Sequence, residues 1–67
     1  MTKDEVVALG VASQKAQQYF QELCWENPRV DPKERVEQIE RYERARADMY
    51  EAMNRHHAAL GLLGTNP

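Results

Sequence analysis

The sequence predicts an all-α protein: an antiparallel two-helix hairpin in a single domain spanning residues 1–67. Three observations carry this expectation. Ala, Glu, Gln and Arg are abundant while β-branched residues are few. Apolar positions recur at alternating spacings of three and four along two segments, the signature of helices with one buried stripe. Between the segments stands the short run NPRVD, residues 27–31, where proline and a capping aspartate interrupt any helix.

The first helix opens with a capping box. Thr2 can accept from the backbone three residues on, Glu5 is the reciprocal partner, and Met1 and Val6 occupy staple positions. It should run over 3–26 and stop there, because Asn27 precedes Pro28 and a pre-proline residue is pushed out of the helical region. The second start is sharper still. In DPKE, Asp31 is the cap, Pro32 takes the first helical position and Glu34 closes the box. No Gly or Pro interrupts this helix before Gly61, so it is expected over 32–63, with Gly64 as a left-handed cap ahead of Thr65, Asn66 and Pro67.

A corner of five residues makes the two helices antiparallel neighbours. At 1.5 Å per residue they measure roughly 36 and 48 Å, so about two turns of the second should project past the start of the first. That overhang would carry Ala58, Ala59, Leu60, Leu62 and Leu63.

The buried stripe of the first helix reads Val6, Leu9, Ser13, Ala16, Phe20 and Leu23. That of the second reads Ile39, Tyr42, Met49, Met53, His56, Leu60 and Leu63. Ala45, Ala52 and Ala59 flank it at heptad spacing, and small residues so placed let antiparallel helices approach closely. Arg46 falls on the stripe, either with its stem packed and its charge snorkelling or as a polar position that selects register or partner. Glu37 with Arg41, Glu40 with Arg44, and Glu51 with Arg55 are four apart with the acid first, as on a solvated face supported by about 0.2–0.5 kcal/mol per pair.

Size makes a lone hairpin marginal, since a chain of 67 residues buries only about 60% of its unfolded surface. Small chains compensate with disulfides, metals or oligomerisation. Cys24 is the only cysteine, so no internal disulfide is available. A homodimer forming a four-helix bundle is the expected remedy, with Leu60 and Leu63 covered by the second chain at roughly 1.5–3 kcal/mol each. No apolar run approaches a membrane span, and the N-terminus is acidic where a targeting peptide would be basic, so a cytoplasmic protein is expected.

Eleven acidic against nine basic residues leave a net charge of −2, which excludes a general field for nucleic acid or anionic lipid. No cofactor is expected. Adjacent His56 and His57 point about 100° apart on a helix and cannot face one ion, and no second ligand stands three or four residues from either. Catalytic groups are equally sparse: Ser13 is the only serine and Cys24 has no evident base. Gln14, Gln17, Gln18 and Gln21, near Lys15, form a polar stripe whose amides could read RNA. With only Lys3 and Lys15 on that helix, the phosphate-neutralising contribution is weak unless a dimer doubles it.

The opening MTKDEVVAL, the chain length, the acid-led corner, the heptad alanines and the ADMY stretch, Ala47 to Tyr50, resemble the Rop family of small plasmid regulators. The resemblance implies hairpins paired into an antiparallel four-helix bundle that binds kissing RNA loops through the first helix. On that face Lys3 and Gln18 match in type, whereas Gln14 stands where the family has an aromatic residue and Gly10 where it has an amide.

The leading functional expectation is a non-enzymatic protein-interaction module, a regulator or inhibitor of a larger protein and of a size that suits a phage or other mobile element. Exposed Val7, Val11, Trp25, Tyr50 and His57 are the candidate contacts to the target, because aromatic anchors dominate interface energetics. A Rop-like RNA binder using Lys3, Gln14, Lys15 and Gln18 is the alternative, and a subunit of a larger machine the third reading.

Overall fold

The computed structural model describes residues 2–64, with side chains through residue 62. Two helices, α1 (Lys3–Cys24) and α2 (Pro32–Gly64), pack against each other as an antiparallel hairpin about 57 Å long and 13 by 12 Å across. Both predicted starts are made by the residues that announce them. Thr2 Oγ1 accepts from the Glu5 N–H at 3.2 Å, and Asp31 Oδ2 accepts from the Glu34 N–H at 3.2 Å. In neither box does the glutamate return the bond, so each cap works through its oxygen alone. The staple role given to Met1 lies outside the described residues.

The first helix stops two residues earlier than expected. The Trp25 N–H is shared between the Gln21 and Glu22 carbonyls, and Glu26 N donates to Leu23 O at 3.2 Å, so the last turn tightens before the pre-proline constraint at Asn27 applies. The connection is therefore 25–31 rather than 27–31. At the other end Gly64 is still helical and no described glycine has a positive φ, which corrects the left-handed cap.

Register is marked by two contacts. Phe20 and Tyr42 stack with ring centroids 4.9 Å apart, and His56 lies over Gly10, where an added Cβ would stand 2.9 Å from Nε2. This register also corrects the overhang. Although α2 has 33 residues to α1's 22, the surplus is divided between both ends: the first turns of α2 lie beside the longer connection, and Ala59 is buried within the hairpin at 1% exposure. Leu60 and Leu62 remain exposed, as expected of the open end, while the Leu63 side chain lies outside the described residues.

The α1 stripe packs as predicted, with Val6 and Ser13 buried and Leu9, Ala16, Phe20 and Leu23 half-buried. On α2 the centre of the contact is displaced. The alanines expected on the flank form its middle, Ala45 and Ala59 buried and Ala52 half-buried, alternating with half-buried Tyr42, Met49 and His56. Ile39 and Leu60 are 41% and 45% exposed. Small side chains draw the two backbones together along their own row, so the bulkier residues one position further round are turned about 100° away.

Candidate interaction surface

The closed end of the hairpin is held by a residue the apolar pattern passes over. Gln38 is buried, seven residues before Ala45 on the alanine row, and three of its four hydrogen bonds reach into the connection. Its Oε1 accepts from the Arg29 N–H and from Arg35 Nη1, each at 3.0 Å. Its Nε2 donates to the Asn27 carbonyl at 3.0 Å and to Glu26 Oε2 at 3.4 Å. The corner is thus knotted to α2 by one amide that copies the backbone's own donor and acceptor pattern. A polar residue at a heptad position seven before Ala45 was the available signal. Ser13, the other buried polar residue, accepts from Gln17 Nε2 at 3.1 Å.

Beside this knot lies a groove of about 440 Å³ floored by Leu23, Ile39 and Tyr42 and rimmed by Arg35, Glu43 and Arg46. The groove opens onto a second stripe of α2. Val36, Ile39, Tyr50, Met53 and Leu60 supply its apolar positions, and Glu43, Arg46 and His57 its polar ones. Their spacings again alternate three and four, one residue out of phase with the stripe that packs on α1. All are exposed except half-buried Met53. The same one-residue step on α1 reaches Val7, Gly10, Gln14 and Gln17. In an antiparallel pair both steps turn to the same side of the hairpin.

The partner candidates therefore divide between two faces. Val7, Tyr50 and His57 lie along this flank, whereas Val11, Gln18 and Trp25, at successive seven-residue intervals, lie toward the outer back of α1, Trp25 as its C-terminal cap. Trp25 is 78% exposed, and Val30 in the connection is almost wholly so. The RNA candidates are not brought together. Lys3 and Gln14 belong to the flank, Gln18 to the back, and Lys15 to the opposite side with Glu22, all of them exposed.

Of the three expected helix-surface ion pairs, only Glu51 with Arg55 is formed among the described residues, and both side chains are exposed. The other two positions are solvated without pairing. This fits the small gain such pairs offer against side-chain entropy. Arg46 is exposed on the second stripe rather than buried in the first. The His56 and His57 rings stand 6.2 Å apart, His56 half-buried over Gly10 and His57 exposed, and no group of three or more His, Cys, Asp or Glu side chains among the described residues could hold a metal ion. Cys24 is a free, exposed thiol. Among the described residues no helix is long and apolar enough to cross a membrane. Compared with known proteins, the chain matches no protein family, no curated protein and no solved structure.

Proposed function

We propose that this hairpin is a non-enzymatic protein-interaction module that regulates or inhibits a larger protein, with the back of α1 as the face offered to that target. The observation that carries the reading is the distribution of apolar surface. Among the described residues no large side chain is fully buried, yet Trp25, Val11 and Val30 stand exposed at the back and the corner, and a second apolar stripe runs the length of α2. Exposed aromatic and branched side chains grouped on one face are the raw material of interface anchors. Trp25 offers the largest single area, held by the tightened end of α1 rather than by a floppy segment.

Affinity capture from the native host, treated with nuclease, tests this. A protein retained by the hairpin should survive nuclease and be lost from a Val11→Ser/Trp25→Ser variant that keeps its helicity. Capture that vanishes with nuclease would instead favour the RNA reading. That reading requires salt-dependent binding to structured RNA in a gel shift, abolished by Gln14→Ala/Gln18→Ala. The scatter of Lys3, Gln14, Lys15 and Gln18 over three sides of α1 and the net charge of −2 argue against it.

A further inference from the structure

We propose that the second stripe of α2 is an isologous interface on which another copy of this chain docks antiparallel, with the two-fold axis passing at Tyr50. The inference rests on the reading of the chain as an interaction module and names the occupant of its flank. Four observations converge on a second copy.

The first is angular. A helix whose two stripes are one residue out of phase presents them about 100° apart, close to the right angle between a helix's two neighbours in a four-helix bundle. In α2 one of those neighbours is α1, packed on the alanine row, and the other position is empty surface.

The second is self-complementarity, which a two-fold interface demands because each residue's partner must find the first residue opposite it. Reversed about Tyr50, the stripe matches itself. Ile39 comes opposite the partner's Leu60, so the apolar floor of the corner groove receives the leucine left exposed at the open end. Glu43 comes opposite the partner's His57, a carboxylate facing an imidazole that can donate to it. Glu43 has no ion-pair partner among the described residues of its own hairpin. Arg46 lies along the partner's Met53, within a turn of the partner's Tyr50, whose ring face suits a guanidinium. Tyr50 meets its own copy.

The third observation is that the same axis serves α1. Phe20 opposite Tyr42 and Gly10 opposite His56 place position 14 level with position 50. Gln14 then faces its own copy at the axis, an amide able both to donate and to accept across a two-fold.

The fourth is area. A compact monomer of 7.8 kDa exposes about 4,400 Å², whereas this hairpin exposes 5470 Å². The excess, on the order of 1,100 Å², exceeds the roughly 800 Å² that each partner contributes to a standard interface.

The test uses the purified chain alone, so that it succeeds or fails independently of any target. In a Cys24→Ser background, Tyr50→Cys places two thiols at the axis and should oxidise to a covalent dimer, while Val11→Cys on the back of α1 should not. His57→Glu sets two pairs of carboxylates face to face and should weaken dimerisation in sedimentation equilibrium by about tenfold or more. Adding Glu43→Lys to that variant should restore it, and circular dichroism checks that each variant remains helical. A chain that sediments as a monomer at high micromolar concentration would overturn the proposal. So would cross-linking through Val11→Cys in place of Tyr50→Cys, or a His57→Glu variant that associates as tightly as the parent.

Discussion

Replacing Gln38 by alanine removes the amide that ties the connection to α2, and the hydrogen bonds around it set the expected loss. Two of its four bonds reach backbone groups of the corner, the Arg29 N–H and the Asn27 carbonyl, both at 3.0 Å. The other two reach the side chains of Arg35 and Glu26, residues exposed enough to find water instead. A net bond contributes about 0.5–1.5 kcal/mol, and an orphaned buried group costs more. Because Asn27 and Arg29 are themselves exposed, water can reach the groups left behind, so the smaller figure applies to each. Two backbone bonds then amount to about 2 kcal/mol, which in a domain of this size lowers Tm by about 8–16 °C. The measurement is thermal and urea unfolding followed by circular dichroism at fixed protein concentration, since self-association would otherwise shift the midpoint. Gln38→Leu, similar in volume, separates the bonds from the packing. If Gln38→Ala lies within about 0.5 kcal/mol of the parent, the range of an ordinary surface substitution, or if Gln38→Leu is as stable as glutamine, the knot does not hold the corner.

Three further outcomes are expected. Asp31→Ala should cost about 0.5–2 kcal/mol through loss of the α2 cap, whereas Glu40→Ala, exposed and unpaired, should stay within about 0.5 kcal/mol; equal losses in urea titrations would refute the assigned start of α2. Gly10→Ala should fail to deliver the stabilisation of about 1 kcal/mol that alanine brings to a helix interior, because its Cβ would press on the His56 ring. In a His56→Ala chain the same change should recover that gain, and a double-mutant cycle showing no coupling would exclude the contact. Finally, Lys15→Ala, on the opposite side of α1 with Glu22, should leave target capture unchanged, and loss of capture would extend the binding surface to that side.

The residues that start and stop helices were legible because their chemistry is local. Thr2, Asp31 and Pro32 act on backbone groups within a few positions and need no knowledge of the tertiary structure. The corner was less legible. The tightened turn at Trp25 is local but carries no proline or cap to announce it, and the role of Gln38 depends on groups 9 to 12 residues apart in sequence meeting in space: a buried glutamine among heptad alanines looks like any solvated helix residue until its partners are placed. The same limit applies to Gly10, whose close neighbour, the His56 ring, lies on the other helix. Among candidate functional residues, exposure of Val7, Val11 and Trp25 was foreseeable from their offset from the α1 stripe, and that of Tyr50 and His57 depended on which row of α2 packs. Their division between two faces was not foreseeable, because it follows from which row of α2 meets α1.

That choice of row links fold to function. Ranked by hydrophobicity, α2 should bury Ile39 and Leu60 and leave its alanines at the margin, since each large side chain gains roughly 1.5–3 kcal/mol from burial and an alanine far less. The hairpin does the reverse. Packing on Ala45, Ala52 and Ala59 brings the backbones close and lets Phe20 reach Tyr42 and His56 reach across Gly10, contacts that a row of bulky residues would hold apart. An arrangement that spends alanines inside and leaves isoleucine and leucine outside stores its hydrophobic driving force on the surface, where only association can realise it. A hairpin built this way should be weakly stable when dilute and gain stability with concentration, so Tm rising with protein concentration in the parent, and flat in His57→Glu, is the thermodynamic counterpart of the cross-linking experiment. A Tm independent of concentration across the whole accessible range would mean that the exposed row contributes nothing to folding, and that its apolar residues are left for a different protein.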